Sequence, residues 1–368
     1  MHRAELILVT GSTGFLGARL VTELLELHPE ASLALLVRGR PEQSALDRVA
    51  AFVPARHLPR VQVFSGDVTL PDCGLSQEDY RRLAASVTRV IHSAATVRFD
   101  HTLEEASQIN VEGTRRILDF AAHAPDLQSF TYIGTAYVAG DRTGLVREDE
   151  LDVGQGFRNT YEQTKCQAEA LVRSRQSSLP IVIVRPSIIV GDSRTGVTTS
   201  FKMMYWPLKI YARRLWRTVP GSPGAILDIV PVDYVAAATA RLAFDPAALG
   251  AAVHLCAGSR SSATLHQIAT RASEYFRVPA PRYVNPALFF GALRPLLLLT
   301  LWGRRRRILH DGRAYRSYFS MRMQFDVSIA ERLLAPHGLQ PPPVMDYLDR
   351  LLRYCTDSDW GRKQTAAL

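Results

Sequence analysis

A chain of 368 residues, 47% hydrophobic and 21% charged, can bury a large core and has the ordinary composition of a soluble globular protein. Its four cysteines (Cys73, Cys166, Cys256, Cys355) lie far apart with no C-x-x-C pair, which argues against a disulfide framework or a metal site and suits a reducing, cytoplasmic compartment. The net charge of +9 comes from 40 arginines and only four lysines; nothing resembles a nucleic-acid module, so the basic surface points to phosphorylated ligands or an anionic membrane.

The apolar segment Leu6–Val9 reads as a buried strand, and because it begins within a few residues of Met1 no signal peptide is expected. It runs into Gly11-Ser12-Thr13-Gly14-Phe15-Leu16-Gly17, after which Leu16, Leu20, Leu24 and Leu27 recur at helical spacing. Strand, glycine turn and helix N-terminus make a cradle for a dinucleotide pyrophosphate, because glycines admit close backbone approach and the helix presents free N–H groups. A second strand, Ser32–Val37, ends in Arg38-Gly39-Arg40. An acidic residue there would hold the ribose 2′-OH of NAD, whereas guanidinium groups clamp a 2′-phosphate, so Arg38 and Arg40 predict NADPH.

Val61–Phe64 is a third strand, with Asp67 and Val68 placed to meet the adenine. Thr88–Ile91 is a fourth, leading through His92 into the small residues Ser93-Ala94-Ala95, which let the backbone lie against the cofactor. His92 is expected to pack rather than catalyse. The helix Leu103–Ala122 carries Asn110, with structural and catalytic roles equally open.

After a fifth strand, Phe130–Ile133, comes Thr135. A helix then opens at Asn159 and places Tyr161 and Lys165 on one face. A neighbouring ammonium is expected to draw the phenol's pKa down toward working pH, making Tyr161 the proton donor, with Thr135 holding the substrate oxygen. Tyr205 and Lys209 repeat the spacing, but they follow the sixth strand (Ile181–Val184) in a stretch expected to be broken by Pro207, so they are set aside. Pro186, Ser187, Ile188 and Ile189 are expected to meet the nicotinamide. Cys166, beside Lys165, should face away from the cleft.

These motifs in combination (T-G-x-T-G-F-L-G, G-D-V, H-S-A-A-x-V, N-V-x-G-T, Tyr-x-x-x-Lys and R-P-S-I-I-V-G-D-S) resemble an extended short-chain dehydrogenase/reductase over roughly residues 5 to 260. The last run, with Leu36-Val37-Arg38 and Ala95-Thr96-Val97-Arg98-Phe99, is most similar to the branch of thioester reductases and fatty acyl-CoA reductases. The resemblance implies an α/β, doubly wound parallel-sheet Rossmann fold with a smaller, mainly helical C-terminal substrate lobe. It also implies NADPH-dependent reduction of an acyl thioester to an aldehyde or onward to an alcohol, with Thr135, Tyr161 and Lys165 catalytic. No adenylation or carrier domain is recognisable, so the thioester would come from CoA or a separate acyl carrier protein. A ketone or secondary-alcohol oxidoreductase and a non-catalytic NADPH-binding sensor are the competing readings.

The expected division is a nucleotide domain at 1–194, rejoined by a strand and helix near 226–257, a lobe at 195–357 and a flexible tail at 358–368. Asp233 is expected to cap the helix it opens. Pro286 to Trp302 is the most hydrophobic stretch, and Arg294-Pro295 should split it into halves too short to span a membrane. It reads either as a buried helix pair or as an interfacial hairpin in which Arg304–Arg307 meet anionic headgroups, and those arginines could instead meet the phosphates of CoA or phosphopantetheine. Helical runs at Val327–Leu334 and Val344–Tyr354 flank Pro341-Pro342-Pro343 and are expected to pack over the cleft.

Overall fold

The computed structural model describes residues 5–311, 319 and 321–363. Seven parallel strands form the central sheet: β1 (Leu6–Thr10), β2 (Ser32–Val37), β3 (Val61–Ser65), β4 (Arg89–His92), β5 (Ser129–Ile133), β6 (Ile181–Pro186) and β7 (Ala252–Leu255). Their spatial order is β3-β2-β1-β4-β5-β6-β7. The order reverses between β1 and β4, and a crevice opens there beyond the strands' C-terminal ends. Near-continuous apolar strands suit a sheet covered on both faces.

One face packs on helix α1 (Phe15–Leu27), and Val232–Leu242 and Ser328–Leu334 join the same core cluster. The other face packs on Gln77–Ser86, Gly113–Ala122 and Thr160–Ser174. A second core lies apart from the sheet and gathers Tyr205, Leu208, Leu227, Ile268, Phe325 and the buried stripe of Val344–Asp357. Among the described residues four two-stranded pairings brace this region; in one, Ile188–Val190 lies parallel to Ile229–Pro231. The return strand expected near residue 226 is therefore two, Ile226–Leu227 and Ile229–Pro231, separated at Asp228, whose carboxylate accepts the N–H groups of Ala257 and Gly258.

The most polar of the buried contacts ties the sheet to its helices. Arg185 on β6 is fully buried, and its guanidinium donates to Glu169 (2.6 Å) and to the carbonyls of Glu148 (3.2 Å) and Glu150 (2.7 Å). Glu148 in turn accepts from the backbone N–H of His254 (2.8 Å) and of Ile329 (2.6 Å), joining β7 to the C-terminal segment.

Three local expectations need correction. The tail is not loose from residue 358: Trp360 is buried beside Phe276, and Arg213 pairs with Asp359, while 364–368 lie outside the described residues. Pro207 does not break its segment, because it sits in the first turn of Tyr205–Ala212, where a missing N–H costs nothing. Arg294-Pro295 does not split the hydrophobic run. Helical backbone continues from Pro286–Leu288 through a π-turn at Phe289–Leu293 into Arg294–Thr300, and the wider turn accommodates the proline. Nor is this a buried pair, since only Phe289 is buried within it. No helix among the described residues is long and apolar enough to cross a membrane.

Two predictions follow from the buried polar groups. Glu169→Leu leaves the Arg185 guanidinium uncompensated and should cost about 3–5 kcal/mol in urea unfolding; an unchanged midpoint would refute the pair's structural role. Burial holds the imidazoles of His92 and His254 down at about 3, so they resist protons that the unfolded chain accepts below about 6.5. Their contribution is present above that pH and is lost as pH falls. Glu148, pushed up to about 7 by burial, acts in the opposite sense between 4.5 and 7. The melting temperature should therefore fall gently from pH 6.5 to 4.5 and steeply below.

Candidate active site

At the crevice, Gly11 has φ +70, and a Cβ there would lie 2.6 Å from the Ala94 nitrogen. A Cβ on Gly17 would meet the Gly11 carbonyl oxygen at 2.1 Å. Only glycine lets the turn fold this tightly against Ser93-Ala94-Ala95. Thr10 fastens the two strand ends, accepting the Ala94 N–H (3.2 Å) and bonding His92 (2.7 Å), whose other ring nitrogen meets Thr114 (3.0 Å). His92 is thus a buried strut.

Helix α1 starts at Phe15 with Gly14 at its N-cap, no side-chain cap and no acidic residue in the first turn. Its leading N–H groups and its positive end face the turn. Ser12 Oγ, buried there, has no hydrogen-bond partner among the described residues. Missing Cβ atoms, an orphaned hydroxyl and an uncapped helix suit a dinucleotide pyrophosphate over Gly11, Ser12, Thr13, Gly14, Phe15, Leu16 and Gly17.

Arg38 and Arg40 are exposed at the end of β2. A third arginine that the sequence reading missed joins them. Arg48 donates to Thr13 Oγ1 (2.6 Å) and to the Arg38 carbonyl, bridging the glycine turn to the β2 end. Burial first, then the charges of Arg40 and Arg38, push its pKa down. Its position is set by Ser44-x-x-Asp47, a capping box that opens Ala45–Ala50, and this was the overlooked signal. Arg38 also reaches Asp67 (3.5 Å). Burial opposes ionisation of Asp67, but Thr69 and Arg38 hold its carboxyl below the usual range. Val68 is buried beside it.

Thr135, at the end of β5, is buried; its hydroxyl donates to the Pro186 carbonyl (3.4 Å) and also bonds Tyr161. Asn159 caps the helix Thr160–Ser174 by accepting the Glu162 N–H (2.9 Å), which fixes where Tyr161 and Lys165 project. Asn110 sits in a π-turn at Gln108–Glu112. It accepts the Thr96 N–H (2.8 Å) and donates to Thr164 Oγ1 (2.9 Å), tying the loop after β4 to the tyrosine helix.

The electrostatics differ from expectation. Burial pushes the Tyr161 phenol up to about 12 against the pull of Thr135, rather than a lysine drawing it down. The Lys165 ammonium donates to the Ile133 carbonyl (2.7 Å) and lies 4.3 Å from the centre of the Tyr132 ring. Burial lowers its pKa to about 7 against the support of Glu169. Enclosure therefore keeps Tyr161 protonated and makes Lys165 the group that titrates near neutrality.

Pro186 closes β6 and Ser187, Ile188 and Ile189 follow it, next to Thr135 through the bond from its hydroxyl to the Pro186 carbonyl. Ile188 also opens onto an apolar cavity of about 160 Å³, lined by Leu208, Tyr211, Leu227, Ile268 and Phe289 among others. Thr135, Tyr161 and Lys165 do not line it; Ile188, two residues beyond the carbonyl that accepts from Thr135, does. Elsewhere, Tyr205 is buried and accepts the Gly191 N–H (2.8 Å), a structural use that removes it from any catalytic role. Asp233 does not cap its helix, which has Pro231 at the N-cap; it accepts from the Ser193 N–H (2.9 Å) and hydroxyl (2.6 Å) instead. Cys166 is buried, and burial raises its thiol to about 11. Among the described residues no cluster could hold a metal.

The family model described as male sterility protein, an NAD-binding domain, matches residues 9–239. Fatty acyl-CoA reductase wat of Drosophila melanogaster is 29% identical over 278 residues, 65% of this chain and 54% of the relative. Human fatty acyl-CoA reductase 1 is 29% identical over 274 residues, 64% and 53% of the two chains. The chain spans about half the length of the curated relatives it matches. The crystal structure of the terminal R domain from the myxalamid PKS-NRPS biosynthetic pathway superposes with a TM-score of 0.82 at 27% identity, covering 98% of this chain and 92% of that one. The glycine turn, the sheet order and these likenesses agree: the chain belongs to the male sterility protein family of NAD-binding domains, within the extended short-chain dehydrogenase/reductases.

Proposed function

We propose that the chain is an NADPH-dependent reductase of fatty acyl thioesters, presented by CoA or an acyl carrier protein, and that it releases the aldehyde. The observation that carries the reading is the apolar cavity lined in part by Ile188, two residues beyond Pro186, whose carbonyl accepts the Thr135 hydroxyl. A small polar pocket would have favoured a sugar or compact alcohol, whereas this lining suits an alkyl chain.

Residues 11–17 would hold the pyrophosphate, Asp67 and Val68 the adenine, and Arg38, Arg40 and Arg48 the 2′-phosphate. Ser93, Ala94, Ala95 and Pro186 to Ile189 would flank the nicotinamide, with Tyr161 and Lys165 beside it. When bound, NADPH supplies the hydride for the thioester carbon. Thr135 orients the carbonyl oxygen, and Tyr161, kept protonated by its enclosure, gives that oxygen its proton. Lys165, one helical turn away, provides the positive charge that favours the developing oxyanion and the phenolate left behind. The resulting hemithioacetal expels the thiol to leave an aldehyde.

Tyr161→Phe should lower acyl-CoA-dependent NADPH oxidation by roughly 10²–10⁴-fold while nucleotide binding, followed by cofactor fluorescence, persists. Loss of binding along with turnover, or no oxidation by the unaltered chain with any acyl-CoA or carrier thioester, would count against the assignment. Arg48→Ala should weaken NADPH by roughly 10- to 100-fold, the value of one or two charge-assisted bonds, and leave NADH nearly unchanged. An equal loss for both nucleotides would remove Arg48 from the 2′-phosphate site.

A further inference from the structure

The segment from Pro286 to Asp311 has two unlike faces. Its first helix runs to Thr300, the chain turns at Gly303 (φ +59), and a second helix occupies Gly303–Asp311. Inward, Phe289, Phe290, Ile308 and Leu309 line the apolar cavity. Outward stand Leu288, Leu293, Leu296, Leu299 and Trp302, with exposures of 56, 37, 62, 78 and 80%. Leu288, Leu296 and Leu299 fall on one side of the helix. Scattered exposed leucines are normal, but a contiguous apolar patch marks an interaction surface. Directly after it, Arg305, Arg306 and Arg307 are all exposed, in a chain of net charge +9.

We propose that this face docks on an anionic lipid surface. The leucines and Trp302 enter the boundary between headgroups and acyl chains, and the arginines engage lipid phosphates. From Pro286 to Thr300 the helix is about 22 Å long at 1.5 Å per residue, shorter than the roughly 30 Å of hydrocarbon in a bilayer, so it lies on the membrane. An acidic protein such as a carrier would be matched by the arginines alone. It gives no reason for Leu299 and Trp302 to project so far into solvent. The docking does not depend on the reaction proposed above, although under that reading the helix touching the lipid is also a wall of the acyl cavity.

Flotation of the full chain with vesicles tests this without turnover. The chain should float with phosphatidylcholine vesicles containing roughly a third phosphatidylserine, float poorly with phosphatidylcholine alone, and release in high salt. The combined variant Leu296→Ser/Leu299→Ser/Trp302→Ser and the combined variant Arg305→Gln/Arg306→Gln/Arg307→Gln should each reduce binding at least ~10-fold. These side chains face solvent, so melting temperatures should hold. Turnover of a short, soluble acyl-CoA by the leucine variant should match the unaltered chain, which separates failure of docking from failure of the proposed reaction. No binding to anionic vesicles, or binding unaffected by either variant, overturns the proposal. So does a face that serves only a second copy of the chain, seen as dimers abolished by the leucine variant, or only an acidic carrier protein, seen as carrier binding abolished by the arginine variant, with no vesicle binding in either case.

Discussion

The ion pair between Arg185 and Glu169 is the contact on which the site's geometry depends. Both side chains are fully buried, one on strand β6 and the other on the helix that carries Tyr161 and Lys165. A guanidinium has five donors in a fixed plane, and here they are divided among a carboxylate, two carbonyls from the loop after β5 and the His254 ring nitrogen at 3.3 Å. Such a pair gives little net stability, because two charges have been taken out of water. What it fixes is direction: rotating the helix about its axis would strand a charge. Glu169 lies one turn beyond Lys165, so the same carboxylate that seats Arg185 also supports the lysine's charge.

That support is incomplete, and the imbalance has chemical content. Lys165 is enclosed enough to titrate near 7, and Tyr161 is enclosed enough to resist ionisation until about 12. A phenol and an ammonium in water lose their protons at similar pH. Here burial, above all, has moved them apart by disfavouring each charged form, with the Glu162 carboxylate adding to the rise at Tyr161. Such separation of neighbouring groups is how a site acquires a resident acid and a charge that responds to what binds.

Much of this was legible in the sequence. The first six strands of the main sheet were placed within one or two residues, because most are short, largely apolar runs that give way to glycine, small or polar residues. The cradle was legible because Gly11 and Gly17 have no substitute in that backbone. What escaped depended on partners far away in the chain. Asp233 looks like a helix cap until Ser193, forty residues earlier, takes both its oxygens. Asn110 resolves toward structure only when Thr96 and Thr164 come together around it. Arg48 was one arginine in forty, distinguishable only through the capping box before it. Pro295 was read as a break because proline removes an N–H; the π-turn before it was invisible to a reading based on a 3.6-residue period.

The proline also bears on how the apolar surface is divided. A regular helix through Arg294-Pro295 would have to kink. The π-turn takes up the strain and keeps one continuous helix, so residues before and after the proline can share a face. Phe289 is thereby set inward while Leu296 and Leu299 face out. A chain that needed only to close its second core would gain nothing from the outward leucines, since water bears on them in the isolated molecule. Their retention beside a basic turn makes sense if the same stretch serves two apolar environments, one inside the protein and one outside it.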